Sequence, residues 1–168
     1  MTSTTSTSAV AAPIAMIFSF NEELALRALE GLTPDEMWKT PTERSNPMLW
    51  IAGHLVQTRA MLLRVLGDPV DTGWGNVFER GAAAITRDAA DRYPSRDEIV
   101  RVMREIIPRL RDRLTSLDDS SLAQPATMQL PGATTVADEL AFFALHDSYH
   151  TGQLAYLRKA LGYPGLAG

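Results

Sequence analysis

Apolar residues recur every three or four positions along four long stretches of this chain, and this spacing places them on one face of an α-helix. The first stretch begins near Ser8, has Pro13 in its early turns and ends before Gly31, a residue type that commonly follows a helix. Residues 33–36 (TPDE) form a capping-box pattern with proline at the first helical position. This pattern predicts a short helical turn that carries Trp38.

The second long helix is predicted between Asn46 and Gly67. Asn46 and Pro47 predict its N-cap and its first residue, and Gly67 predicts its end. At about 3.6 residues per turn, His54 is expected to point from this helix toward the core. The other residues near the same face are Trp50, Met61 and Val65.

Residues 95–98 (SRDE) form another capping box and predict the start of a third helix. Its apolar spacing continues unchanged across Pro108, so we expect one kinked helix rather than two. Its opposite face alternates in charge at i,i+4, which is typical of a solvated surface; the residues are Arg101, Glu105 and Arg109. The apolar positions are Ile99, Met103, Ile106, Leu110, Leu114 and Leu117.

The fourth helix is predicted to start at Thr135, with Asp138 completing a capping pattern, and to stop at Gly162 before Pro164. Its last turn carries two cationic residues, Arg158 and Lys159, which are stabilised by the negative end of the helix dipole. Its apolar stripe contains Val136, Leu140, Phe143, His146, His150, Gln153 or Leu154, Leu157 and Leu161.

These four amphipathic helices, without a convincing β-run, predict an all-α fold in the form of a four-helix bundle. Residues 68–94 and 118–133 are long connections, which we expect to cross over the bundle or to carry function. Trp74 and Phe78 are expected to fix the first connection to the bundle end, or only to cover the core. We expect residues 1–7 to be a flexible tail and residues 8–168 to be a single domain.

Composition narrows the class of protein. The 168 residues include no cysteine, which excludes disulfides, cysteine zinc sites, iron–sulfur clusters and a protein thiol nucleophile. A net charge of −4 and a pI near 5.3 count against nucleic-acid binding. A signal peptide would require Lys or Arg near its start, but none precedes Arg27. No apolar run is long enough for a membrane span. We therefore expect a cytoplasmic protein with no membrane and no nucleic-acid partner.

The chain has only three histidines, and all three lie on predicted core stripes. His146 and His150 are four residues apart in the segment HDSYHTGQL, so both rings point the same way and one ion can bridge them, with His54 completing a triad. The alternative is that they are ordinary hydrogen-bonded core histidines, because H-x-x-x-H alone is a weak pattern. We favour a metal, because no cluster of carboxylates shares these stripes to satisfy three buried imidazoles.

The ligand set indicates the kind of metal site. The paired Glu-x-x-His motifs of di-iron bundles are not evident, although Asp147 stands three residues before His150. Three neutral imidazoles are instead typical of a mononuclear catalytic zinc site with water in an open position, and nickel or ferrous iron suits the same ligands. Candidate residues around the site are Trp50, Gln57, Gln153 and Asp147, the last as a second-shell or surface carboxylate.

A subunit contact is also expected on the fourth helix. The apolar run of residues 141–144 is wider than one core stripe needs, and surplus apolar surface often marks an interface. Tyr149 is expected to face away from both histidines and to join such a contact. Gly152 would allow another helix to come close. We therefore predict a homodimer.

Three segments of the chain resemble the DinB-like superfamily: the Asn-Pro helix start leading to WIAGHL, the Trp74-x-x-x-Phe78 pattern near Gly81, and HDSYHTGQL. The resemblance covers nearly the whole chain after the tail. It implies a four-helix bundle with a crossover connection, often a homodimer, that holds one divalent metal on three histidines. Those histidines correspond to His54, His146 and His150 here.

What the resemblance implies about activity is broader. Relatives include thiol-dependent transferases that use bacillithiol or mycothiol, and mycothiol-dependent maleylpyruvate isomerase. We therefore predict a metal-dependent thiol S-transferase acting on small electrophiles, with zinc or nickel favoured over iron and a low-molecular-weight thiol as cofactor. The alternatives are a hydrolase that uses a metal-bound water, and a non-catalytic, stress-related metal-binding bundle.

Overall fold

The structure is a computed structural model that describes residues 8–43 and 45–166. Its helices are α1 (Ala11–Leu29), α2 (Met48–Val65), α3 (Arg96–Thr115), α4 (Asp119–Leu122) and α5 (Val136–Ala160), with 3₁₀ turns at Glu36–Trp38 and Arg87–Arg92. The described residues contain no strand, only an isolated antiparallel bridge between Pro125 and Thr135. The all-α prediction is confirmed, and the predicted tail 1–7 lies outside the described residues.

The four long helices form a bundle in which each packs against two others. α1 contacts α3 and α5, and α2 contacts the same two helices from the other side. Aliphatic and aromatic side chains from all four helices fill the space between them; the largest fully buried ones include Leu29, Leu55, Leu62, Leu63, Ile99, Met103, Ile106 and Phe143. Among the described helices, none is long and apolar enough to cross a membrane.

Some predicted helix starts agree with the structure, and others are displaced. Glu36 Oε2 accepts hydrogen bonds from Thr33 N at 2.7 Å and Thr33 Oγ1 at 2.8 Å, as the capping box requires, and the predicted turn follows. α2 begins one residue later than predicted, at Met48. Pro47 is the N-cap, because its ψ of 161° is extended, and Asn46 makes no capping bond.

α3 runs without a break through Pro108, as predicted, and its apolar stripe is buried from Ile99 to Leu114. Leu117, predicted as the last member of the stripe, lies beyond the helix and is half-buried. Its capping box is only half formed. Ser95 Oγ accepts from Glu98 N at 3.2 Å, but the Glu98 carboxylate accepts from Trp74 Nε1 at 3.1 Å instead of returning to the helix start. The glutamate therefore holds the first long connection against α3.

α5 begins with the predicted capping box between Thr135 and Asp138. The Asp138 carboxylate accepts hydrogen bonds from the backbone N–H and hydroxyl groups of Thr134 and Thr135, and these bonds lower the pKa of Asp138 to about 2. The helix ends at Ala160, and Gly162 follows with a φ of +90°, which suits glycine.

Both long connections are fixed to the bundle. Trp74 and Phe78 are buried in the core, which agrees with the prediction for the first connection. In the second, Thr127 Oγ1 and Met128 N donate to the carboxylate of Glu139, which is completely buried on α5. The prediction that Met61 of α2 joins the core is wrong, because its side chain is 38% exposed.

Candidate metal centre

The three histidines meet between α2 and α5. His54 lies in the middle of α2, and His146 and His150 lie on successive turns of α5. Each histidine contributes one ring nitrogen, and these three nitrogens all lie within 4.8 Å of one another. His54 Nε2 and His146 Nε2 are 3.2 Å apart. Two imidazole nitrogens on one tetrahedral zinc ion are about 3.3 Å apart for metal–nitrogen bonds of about 2.05 Å, so this pair is already at ligand spacing.

The outer nitrogens of two rings are held by neighbours. His54 Nδ1 lies 2.6 Å from the carbonyl oxygen of Phe78, and His150 Nδ1 lies 2.8 Å from Gln153 Oε1. Because both oxygens can only accept, each Nδ1 donates and each Nε2 keeps its lone pair. This is the arrangement that orients a histidine ligand. His146 Nδ1 is buried without a hydrogen-bond partner in the described chain.

The surroundings keep the three imidazoles neutral. Burial lowers the pKa of His54 and of His150. For His146, burial and the neighbouring His150 and His54 together lower the pKa to about 4. A neutral imidazole is the form that binds a metal ion, so protons do not compete for these nitrogens near pH 7.

The remaining candidate residues take different places. Gln153 contacts His150, as described above. Trp50 stacks on the His54 ring with centroids 4.6 Å apart and forms part of the cavity wall. Gln57 also lines the cavity, but its Nε2 donates to the carbonyl oxygen of Gly75 at 2.7 Å. Gln57 therefore ties the first connection to α2 and does not orient a histidine ring.

Asp147 is not a surface carboxylate, since it is only 2% exposed. Arg59 Nε donates to its Oδ1 at 2.7 Å, and Arg59 Nη2 donates to its Oδ2 at 3.0 Å. Arg59 is equally buried and was not identified from the sequence, although an arginine inside the apolar run of α2 was a possible signal. This bidentate pair joins the two helices that carry the histidines.

Two expectations for α5 need correction. The Tyr149 ring does not face away from both histidines, because it packs edge-on to His150 with centroids 5.1 Å apart. No other helix of the described chain approaches Gly152, since a Cβ at that position would meet no atom within 4 Å beyond its own turn of α5. Both positions lie on the exposed side of α5, and Tyr149 reaches from there to the edge of the His150 ring.

A cavity of about 1120 Å³ opens at the histidines. Its walls combine aromatic side chains with a few polar groups, the mixture that is typical of small-molecule sites. The aromatic members are Trp50, Phe78, Phe142, Phe143 and Tyr149. Arg64 and Arg80 contribute charge to its lining, opposed by Asp71 and Glu79. The geometry therefore defines a helical-bundle protein with a candidate three-histidine metal site in a cavity of ligand size.

Comparison with known proteins places this architecture in a family. The family model of the DinB superfamily matches residues 17–154, and the chain belongs to that superfamily. Its fold is similar to the crystal structure of a conserved protein from Enterococcus faecalis. The TM-score is 0.69 at 14% sequence identity, over 88% of this chain and 94% of that one. This likeness concerns the fold alone. No curated protein matches the chain in sequence.

Proposed function

We propose that His54, His146 and His150 bind one divalent metal ion and that the protein is a metal-dependent enzyme of the thiol S-transferase type. The observation that carries the proposal is the convergence of three neutral imidazole nitrogens, within 4.8 Å of one another, on a cavity of about 1120 Å³. Zinc, nickel and ferrous iron all suit imidazole ligands, with zinc or nickel favoured.

The donor set fits a metal that acts as a Lewis acid. The three ligand residues carry no negative charge, and Asp147, which follows His146 in sequence, is engaged by Arg59. When bound, the ion would coordinate a small thiol and favour its thiolate form. Phe78 and Gln153 would hold the rings of His54 and His150 in their binding orientation.

The sulfur nucleophile of such a reaction has to come from outside the protein. The chain has no cysteine, and a free thiol has an unperturbed pKa of about 8.5, so it is mostly protonated at neutral pH. We propose a low-molecular-weight thiol such as mycothiol or bacillithiol as the cofactor and a small electrophile as the substrate. The aromatic walls of the cavity would exclude water from the reacting atoms and position the electrophile.

The second candidate is a metal-dependent hydrolase, in which water occupies the position that the thiol would take. It needs the same three ligands and the same cavity. A non-catalytic metal-binding bundle is less well supported, because a structural site has a closed coordination sphere, whereas these ligands border a large cavity. The cytoplasmic location stays a prediction.

Metal analysis tests the site directly. We expect about one divalent ion per chain in the purified protein, and its loss in the double variant His146→Ala/His150→Ala with helical content retained. Gln57→Ala is the matched control, because it changes a cavity residue whose amide nitrogen donates to the Gly75 carbonyl oxygen and not to a histidine, and it should keep the metal. Stoichiometric metal in the double variant would refute the proposal.

A second experiment separates the two reactions. Adding a cognate thiol to the cobalt-substituted protein should produce a sulfur-ligand absorption band and speed conjugation of a haloaromatic electrophile. Both effects should be lost in His54→Ala. The absence of a sulfur band with mycothiol and bacillithiol, together with metal-dependent ester hydrolysis, would favour the hydrolase.

A further inference from the structure

The wall of the histidine cavity contains a buried hydroxyl group, that of Thr58. In the described chain Thr58 is the one buried polar residue of this wall apart from His54 and His150. Its side chain is 8% exposed, and it lies four residues after His54 on the same face of α2. A polar group in such a place normally has a hydrogen-bond partner, so the partner of Thr58 has to be found.

The described part of the chain offers the Thr58 hydroxyl no partner. A serine or threonine inside a helix often donates to the carbonyl oxygen four residues earlier, and Ser19 and Ser148 do so here, both at 2.9 Å. Thr58 makes no such bond to the carbonyl oxygen of His54, nor any other hydrogen bond among residues 8–43 and 45–166. Its hydroxyl is therefore free to bond a molecule in the cavity.

The other neutral polar groups close to the histidines are already engaged. Gln57 Nε2 donates to the Gly75 carbonyl oxygen at 2.7 Å, and Gln57 Oε1 is sealed from solvent. Gln153 Oε1 accepts from His150 Nδ1 at 2.8 Å. Thr58 is thus the buried donor that this wall keeps in reserve for a ligand.

The charges of the wall indicate which ligand group Thr58 would meet. The charged residues that line the cavity all lie at exposed positions; they are Arg64, Asp71, Glu79 and Arg80. An ionised ligand group beside Thr58 would therefore be desolvated without an opposite charge, which is costly. A neutral oxygen, such as that of a carbonyl group, needs only one donor.

We propose that Thr58 is a substrate-binding residue whose hydroxyl donates a hydrogen bond to a neutral acceptor oxygen. The substrate class is then a small electrophile with an apolar body and a carbonyl oxygen close to its reacting carbon. The inference rests on the proposed function only in calling the bound molecule a substrate, because the free hydroxyl and the cavity are properties of the chain itself.

The position of Thr58 brings this oxygen close to the candidate metal centre. At a rise of about 1.5 Å per residue, Thr58 lies about 6 Å beyond His54 along α2. Trp50 lies the same distance before His54 and stacks on its ring. Along α2, a small molecule at the histidines therefore has an aromatic ring on one side and a hydroxyl on the other, which suits an apolar body with one oxygen.

Thr151 provides a matched control. It is 2% exposed, and its Oγ1 also has no partner in the described chain, but it is sealed from solvent and does not line the cavity. Both threonines lie inside long helices. Thr58→Val and Thr151→Val therefore remove the same group at two buried positions, of which one faces the cavity.

Binding of benzylacetone, an unreactive ketone, to the full chain as purified tests the proposal. In an NMR titration, Thr58→Val should weaken binding by about 3- to 10-fold, which corresponds to one neutral hydrogen bond. Thr58→Ser keeps the hydroxyl and should retain most of the affinity, and Thr151→Val should bind like the wild type. Butylbenzene has a similar shape without the oxygen, so it should bind the wild type and Thr58→Val equally.

Thermal unfolding distinguishes binding from a structural role. Neither valine variant should lower Tm, because neither hydroxyl bonds another group of the described chain. Four results would each overturn the proposal: no ketone binding by the wild type, unchanged affinity in Thr58→Val, an equal loss in Thr151→Val, or a marked fall in Tm in Thr58→Val.

The ketone titration needs neither a thiol nor turnover, so its outcome is separate from that of the proposed function. A sulfur-ligand band in the cobalt protein together with ketone binding that is independent of Thr58 would overturn this inference and leave the transferase proposal intact. Ketone binding that depends on Thr58, without a sulfur band for any thiol, would support the binding residue and count against the transferase.

Discussion

Gly53→Ala is the most informative single substitution, because two physical effects of opposite sign meet at this position. Gly53 lies inside α2, where alanine is favoured over glycine by about 1 kcal/mol. The ring of Phe78 occupies the space that a side chain at position 53 would fill. A Cβ built at position 53 would lie 2.6 Å from two atoms of that ring and 2.7 Å from a third.

The steric effect should be the larger one. Carbon atoms in contact normally lie about 3.5–4.0 Å apart, so the ring would have to retreat by about 1 Å. Phe78 is completely buried, and overpacking of a core typically costs about 1–3 kcal/mol. After the gain in helix propensity, we expect Gly53→Ala to lower the free energy of unfolding by about 1 kcal/mol.

The displacement should also reach the histidines. The Phe78 carbonyl oxygen accepts the Nδ1 hydrogen bond of His54, the neighbour of Gly53, so moving Phe78 disturbs the orientation of that ring. Loss of such a partner typically lowers metal affinity by about 10- to 100-fold. Chelator competition would measure this change, and urea unfolding of the metal-free protein would measure stability.

A double-mutant cycle provides the control. In a Phe78→Leu background the two ring atoms nearest to the new Cβ are absent and only a δ carbon remains nearby, so Gly53→Ala should cost less than it does in the wild-type background. An increase in stability of about 1 kcal/mol on Gly53→Ala in the wild-type background would refute the reasoning, since it would mean that helix propensity alone decides.

Three further predictions follow from other contacts. Arg59→Met should cost about 3–5 kcal/mol in urea unfolding, because it leaves Asp147 buried without its partner, whereas Arg59→Met/Asp147→Leu should lie far closer to wild type. The pKa of Asp138 is lowered from 3.8 to about 2 in the folded state, so its stabilisation is complete above pH 3.8 and is lost as pH falls toward 2. Acid titration of Asp138→Asn should accordingly show a shallower loss of stability in that window; an unchanged slope would contradict the assignment. Gln153→Leu should weaken metal binding about 10- to 100-fold in chelator competition without changing helical content, because it removes the acceptor for His150 Nδ1.

The sequence predicted the long helices well because local signals mark them. Apolar spacing, the capping box at Thr135 and the glycines after the helices all act within a few residues, and the structure has them nearly where they were expected. The start of α2 was misplaced by one residue, because Pro47 is extended and precedes the helix instead of forming its first residue. The three histidines were found because none lies outside a core stripe.

The partners of those helices could not be predicted in the same way. Arg59 and Asp147 are 88 residues apart in sequence, and nothing local indicates that they pair. The acceptor for His54 is a backbone carbonyl, which every residue has, so no residue type indicates it. Glu98 fitted a capping box, but a tryptophan from a long connection bonds its carboxylate instead.

The distribution of charge over the bundle has a consequence for how far each helix can vary in sequence. Arg101 and Glu105 of α3 are exposed and pair only with each other, and at such surface positions most replacements change stability by less than about 0.5 kcal/mol. Arg109 does not lie on a purely solvated face as predicted, because it is half-buried and pairs with Asp68 of the first connection. In α5, Ser148 accepts a hydrogen bond from α1 and Asp147 accepts one from α2, and the two histidines lie on adjacent positions. In a library that randomises single positions, substitutions should accumulate at the exposed positions of α3 around Arg101 and Glu105 and remain scarce through the middle of α5.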